Sequence, residues 1–306
     1  MSQKWLQFVQ LFSEKNPHLS RKQVLQEAKY PYKKLKEYYR QKGGNIDDIV
    51  DKLKKGVIPN IDPTLTELDL SDKDIGDAGA RALAEALRTN TTLTRLNLEY
   101  TYMRGEGVSL LMETLGANSK ITSLKLGGNR IGDANVLALA QALVKNTTLT
   151  SLDLNGDDIS HEGATALAKV LNETNLITLD LHGNNIRAEG AMVLAEALYT
   201  NTKITELNLA RNSIRDEGAA ALSTALKTNT TLTHLGLSNN YISDAGAIAL
   251  AEALGANPTL VQLDLGENFI KAAGGTALTD AGTATGRVVE IWLPYIDYEE
   301  EETVFR

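Results

Sequence analysis

Leu149-Thr-Ser-Leu152-Asp-Leu154, Ile204-Thr-Glu-Leu207-Asn-Leu209 and Leu232-Thr-His-Leu235-Gly-Leu237 are one phrase written three times. It recurs from Leu65, Leu93, Ile121, Leu176 and Leu260, so eight copies run from Leu65 to Ile270. Their starts step by 28 residues, except for 27 between Leu149 and Leu176. Self-similarity at such a period means a solenoid, in which each unit buries its apolar face only against its neighbours.

Each unit has two halves. In the first, Leu-x-x-Leu-x-Leu-x-x-Asn-x-Ile, the alternating leucines suit a short strand with one buried face. In the second, as in Asp216 to Leu226, apolar residues recur at three- and four-residue spacing among many alanines, which predicts a helix. Asp77, Asp133, Asp216 and Asp244 open these helices, where a carboxylate suits exposed amides and the positive dipole end. Asn90, Asn146, Asn201, Asn229 and Asn257 close them, which suggests a left-handed helix end.

With these motifs the chain resembles the ribonuclease-inhibitor class of leucine-rich repeat proteins over about three quarters of its length. The resemblance implies an α/β leucine-rich repeat solenoid, a horseshoe of eight strand–helix repeats of 27–28 residues, with a curved parallel sheet inside and helices outside. Asn129, Asn184, Asn212, Asn240 and Asn268 hold the position that caps the inner loop in that class, while Lys73, Thr101 and Asp157 depart from it. The leucines that carry the motif are core residues, so the horseshoe transfers and the ligand does not.

At 306 residues, 42% hydrophobic and 23% charged, the chain is long and apolar enough to bury a continuous core. It has no cysteine, which excludes disulfides, a thiol nucleophile and thiolate metal sites. No stretch approaches 18 consecutive apolar residues, and Lys15, Arg21 and Lys22 follow the apolar start too soon for a signal peptide, so an intracellular protein and no membrane contact are expected.

Residues 1–60 differ in kind: they carry 13 Lys/Arg against 6 Asp/Glu, a net +7, and leave −15 on the remainder. Breaks at Asn16-Pro17, Pro31 and Gly43-Gly44 divide them into three helices, and Asn45 caps a fourth carrying Ile46, Ile49, Val50 and Leu53. Trp5-x-x-Phe8-x-x-x-Phe12, Asn16-Pro-x-Leu-Ser, Val24-Leu-x-Glu-Ala and Tyr32-Lys-Lys-Leu-Lys make Trp5 to Arg40 similar to an HMG-box-like or YABBY-like module. Such modules also occur in large DNA viruses, which raises a viral source. That resemblance implies nucleic-acid binding by Lys29, Lys33, Lys34, Lys36 and Arg40, with nearby tyrosines to stack on bases. A solvated basic face, or a cap over the apolar end of the first repeat, explains the same residues.

The expected organisation is a basic helical module over 1–60, repeats over 61–286, a capping strand over 287–296 and an acidic tail over 297–306. Val288, Ile291 and Leu293 continue the strand frame, which sets Trp292 on the inner surface at the end of the sheet. The Gly-rich eighth helix, with Gly274, Gly275, Gly282 and Gly286, is a poor one.

Function in this fold is expected on the inner strand surface and its rim. Asp69, Asn97, Asp153, Asp180, Asn208 and Asp264 fill one column between leucines, and Glu206, His182 and His234 stand beside it. Carboxylates stacked at about 5 Å repel one another and welcome a basic ligand, whereas plain solvated consensus explains the column equally well. Glu99-Tyr100-Thr101-Tyr102-Met103 breaks the pattern of the second repeat, as a contact site or by packing on the N-terminal module. His182 and His234 lie two repeats apart in different columns, too far for one metal without a third ligand. No phosphate loop, nucleophile elbow or paired-carboxylate motif stands outside the consensus, so an enzyme is not expected, and neither is a cofactor or small-molecule ligand. The expectation is a scaffold that binds a basic protein partner. A two-part adaptor holding nucleic acid through residues 1–60 is the alternative, and a Ran-type GTPase regulator the third.

Overall fold

The computed structural model describes residues 46–286 and 289–293. The first three N-terminal helices, the HMG-like match with Lys29, Lys33, Lys34, Lys36 and Arg40, Val288 and the acidic tail fall outside these residues.

The fourth expected helix is present. It is α1 (Ile46–Lys54), which buries Ile49, Val50 and Leu53 and ends ahead of Gly56, whose φ is +67°. Strand and helix then alternate along the chain. They run β1 (Glu67–Asp69), α2 (Gly76–Thr89), β2 (Arg95–Asn97), α3 (Gly105–Ala117), β3 (Ser123–Lys125), α4 (Gly132–Lys145), β4 (Ser151–Asp153) and α5 (His161–Val170). They continue β5 (Thr178–Asp180), α6 (Arg187–Leu198), β6 (Glu206–Asn208), α7 (Arg215–Leu226), β7 (His234–Gly236), α8 (Asp244–Ala256), β8 (Gln262–Asp264), α9 (Ala272–Ala284) and β9 (Glu290–Trp292). The nine strands form one parallel sheet in sequence order, and the register sets Leu68, Leu96, Leu124, Leu152, Leu179, Leu207, Leu235, Leu263 and Ile291 side by side. The eight leucines of that row are buried. One core therefore runs the length of the solenoid, between the sheet and the helix layer.

The backbone ladder runs on past the three-residue strands, as in Leu98 N–H to the Lys125 carbonyl and Tyr100 N–H to the Gly127 carbonyl, and side-chain ladders reinforce it. Thr94, Thr122, Thr150 and Thr233 each donate Oγ1–H to the backbone carbonyl of the residue one repeat earlier, at 2.9–3.2 Å. Along the inner loops, Asn212 Nδ2 donates to the carbonyls of Leu181 and Leu209 at 2.8 and 3.1 Å, while its own N–H donates to Asn240 Oδ1 at 2.9 Å. Asn240 repeats this with Leu209 and Asn268. Buried amides thus satisfy carbonyls from two repeats at once.

The helix-closing asparagines are not left-handed. Asn90, Asn146 and Asn257 have φ of −74° to −81° with ψ of 118° to 125°, which is extended backbone. Their value lies in the side chain: Asn146 Nδ2 donates to the carbonyls of Leu115 and Asn118 in the previous repeat, and Oδ1 accepts from Leu149 N–H at 2.7 Å. A second ladder, rather than a turn requirement, explains these residues.

The helix-opening aspartates also act across repeats. Asp216 Oδ1 accepts from the N–H groups of Ser243 and Gly246, and Oδ2 accepts from Ser243 Oγ, so it caps α8 rather than its own helix. Asp133 caps α5 and Asp244 caps α9 in the same way. Glycine follows from this approach, since a Cβ on Gly246 would stand 2.6 Å from Asp216 Oδ1. Asp216→Ala is expected to cost roughly 1–2 kcal/mol in denaturant unfolding, the loss of a helix cap. A change within a few tenths would show the cap to be dispensable. The Gly-rich α9 forms as the others do, and its Gly274 is the capped position.

Candidate functional site: the concave strand face

The strand side chains that point away from the core line a hollow of about 590 Å³ spanning β3 to β8. Its walls include Lys125, Asp153, Asp180, Glu206, Asn208, His234 and Asp264.

The central column has a structural cause. In all six Asp/Asn positions, Oδ1 accepts the N–H two residues later: Asp69 from Ser71, Asn97 from Glu99, Asp153 from Asn155, Asp180 from His182, Asn208 from Ala210 and Asp264 from Gly266, at 2.8–3.1 Å. The side chain closes an Asx-type turn where the chain leaves the sheet. Asp and Asn serve this turn equally, so their mixture in the column is explained by the backbone and the excess of Asp over Asn is not.

Charge is distributed unevenly along the face. At the N-terminal end Arg95 pairs with Glu67, and Lys125 Nζ lies 3.6 Å from Glu99, whose other oxygen accepts from Asn155 Nδ2. From β4 onward, Asp153, Asp180, Glu206 and Asp264 have no cation within ion-pair reach among the described residues. Asp153 and Asp180 are register partners on adjacent strands. Burial in the floor of the hollow raises the Asp180 pKa above its ordinary value, and the neighbouring Asp153 charge adds to the rise. Hydrogen bonds from His182 N–H and Asn208 Nδ2 oppose it.

His234 lies on the wall, beside Glu206 in register, and its Nδ1 is 2.8 Å from Thr233 Oγ1. His182 sits at the exit of β5, outside the residues that line the hollow. Among the described residues no group of three or more His, Asp or Glu is placed to hold a metal ion.

Tyr100 and Tyr102 are about half exposed on the rim, both in left-handed backbone with φ of 54° and 57°. Tyr100 does not need an N-terminal module to pack on: a Cβ on Gly128 would be 2.3 Å from its ring, so the ring lies against the next repeat's loop. Met103 takes the Ile position and is fully buried. Trp292 pairs in register with Asp264 on the last described strand and is 53% exposed, as the frame implied. Tyr241 and Phe269, exposed by 50% and 63%, touch each other with ring centroids 5.7 Å apart. Sequence reasoning missed this pair, although both stand in the repeat position of Tyr102.

The leucine-rich repeat family model matches residues 62–84, 89–112, 117–140, 145–168, 172–195, 200–223, 228–251 and 256–278, which together are well over half of the chain. No curated protein matches in sequence. Among solved structures, the chain is similar to a tropomodulin C-terminal domain from Caenorhabditis elegans, with 15% identity, 49% of this chain and 91% of that one covered, and a TM-score of 0.42. It is also similar to the actin-binding site 2 of leiomodin-1, with 20% identity over 69% of this chain and 88% of that one, at a TM-score of 0.30. Likenesses this distant say nothing about a partner.

Proposed function

The chain belongs to the leucine-rich repeat family, and from that membership we propose that it is a protein-interaction scaffold whose acidic concave face receives a basic segment of a partner protein. Its 28-residue strand–helix unit supports the ribonuclease-inhibitor-like subtype, and the absence of cysteine fits an intracellular setting. The observation that carries the reading is the run Asp153, Asp180, Glu206 and Asp264 on one wall without a cation in reach among the described residues. A single sign of charge on a concave wall concentrates field and speeds the arrival of an opposite charge, an effect that salt screens.

The test uses the partner captured by the full chain, with association followed by surface plasmon resonance. Changing Asp153 and Asp180 together to Asn keeps their Oδ1 turn bonds and removes two charges, and it should slow association by about tenfold at low salt. Deleting 297–306 should slow it only slightly. If tail deletion abolishes binding while the double change does nothing, the concave face is not the site.

The charge contrast between residues 1–60 and the remainder favours a second reading, in which the N-terminal module holds nucleic acid and the solenoid recruits a protein. Salt-sensitive retention on DNA that Lys33, Lys34 and Lys36 changed to Glu abolishes would support it. Salt-insensitive behaviour would end it.

A further inference from the structure

We infer that the partner segment is bipartite, with basic residues lying over β4 to β8 and an apolar anchor seated on the aromatic end formed by Trp292, Phe269 and Tyr241. This rests on the concave-face reading and adds to it a position, a length and a second chemistry.

The position follows from charge. On strands β1 to β3 Arg95 pairs with Glu67 and Lys125 with Glu99, so a basic segment gains less there. Among the residues that line the hollow, the carboxylates that lack a cation in reach run from Asp153 on β4 to Asp264 on β8. They span five strands, and at about 4.8 Å per strand a segment crossing them covers roughly 20 Å, the length of six or seven extended residues.

The anchor follows from what stands at the end of that track. Beyond Asp264 the next residue in the column is Trp292, more than half exposed. The loops after β7 and β8 add Tyr241 and Phe269, in mutual contact and with their outer surfaces in solvent. Tyr241 holds φ at 59°, the left-handed conformation that Tyr102, Arg130, Asp158 and Ser213 share at the same loop position, so the loop sets the direction in which its ring is displayed. Exposed aromatics at the end of a charged groove, here a strand residue and a contacting loop pair, have the composition of interface anchor points. The other exposed rim aromatics, Tyr100 and Tyr102, adjoin the strands on which Arg95 and Lys125 pair with Glu67 and Glu99. On the concave face and its rim, exposed aromatic surface adjoins the carboxylates without a cation in reach at the β4–β9 end. An aromatic face also attracts cations, so lysine or arginine next to the anchor gains from Trp292 as well.

The probes are two fluorescein-labelled synthetic peptides of equal charge, each with lysine at alternate positions over eight residues. One carries Phe-Leu at an end, in both end placements, and the other Ser-Gly. Fluorescence anisotropy with the full chain should show the Phe-Leu peptide binding about tenfold more tightly. Trp292→Ser with Phe269→Ser should erase that advantage and leave the salt dependence of both peptides unchanged. Asp153→Asn with Asp180→Asn should weaken both peptides alike and flatten the salt dependence. Equal affinity of the two peptides, or an advantage that survives the aromatic changes, overturns the anchor and leaves the concave-face reading standing. Binding of both peptides that is indifferent to the Asp changes, or no binding at all, overturns both.

Discussion

Replacing Asp157 by Asn is expected to stabilise this protein, by roughly 2–4 kcal/mol at pH 8, because one buried oxygen there is in the wrong chemical form. Asp157 is fully buried in the inner ladder, where Oδ1 accepts from Asn129 N–H at 2.8 Å and Oδ2 has no hydrogen-bond partner. Neighbouring repeats show what belongs there. Asn129 Nδ2 donates to the carbonyls of Leu98 and Leu126, and Asn184 Nδ2 to those of Leu154 and Leu181. By register an Asn at 157 would donate to Leu126 and Leu154, whereas a carboxylate oxygen faces them as a second acceptor.

Burial pushes the Asp157 pKa up to about 8, against hydrogen bonds from the backbone of Asn129, Ile131 and Arg130, with the Asp153 charge adding to the rise. The unfolded carboxyl loses its proton near pH 3.9. Between about pH 4 and 8 the folded state therefore binds more protons than the unfolded, so this group makes stability fall as pH rises. Asp180, whose pKa is also raised, contributes in the same direction. Urea unfolding from pH 5 to 8 should show that decline in the parent chain and a much shallower one in Asp157→Asn. A variant no more stable than the parent at pH 8 would place Asp157 in a satisfied environment.

Leu207→Ala should cost roughly 2–5 kcal/mol, since a Leu-to-Ala cavity in a core that cannot collapse is worth that much. Leu207 is buried in β6, flanked in register by Leu179 and Leu235, so the cavity opens into three repeats at once. Because a solenoid is held by nearest-neighbour interfaces, the loss should also broaden unfolding as the two halves separate. A loss under about 1 kcal/mol would contradict the strand register.

The solenoid was readable because its leucines, alanines and asparagines recur with a period, and periodicity survives any detail of packing. The uses to which polar residues are put were harder to read. Asp216 sits in the first turn of α7, yet it serves α8, a contact 27 to 30 residues away that no local rule contains. Asn146 looked like a turn residue and is a cross-repeat bridge. The Asp/Asn column read as a possible ligand surface, and half of that reading dissolves into turns closed by Oδ1. What remained hidden was the neutralisation of Glu67 and Glu99 by Arg95 and Lys125, which depends on strand register and side-chain reach together. It divides one apparently uniform acidic face into two ends of different character.

Carboxylate footprinting of the full chain, free and saturated with its captured partner, measures directly which face is covered. Carbodiimide-driven coupling of glycine amide, read by mass spectrometry, reports each Asp and Glu separately. The account predicts protection of Asp153, Asp180, Glu206 and Asp264, with Glu196, Glu217 and Glu252 on the outer helices labelled as in the free protein. Protection of the outer carboxylates, or of Glu299 to Glu302, with the concave four unchanged would contradict it.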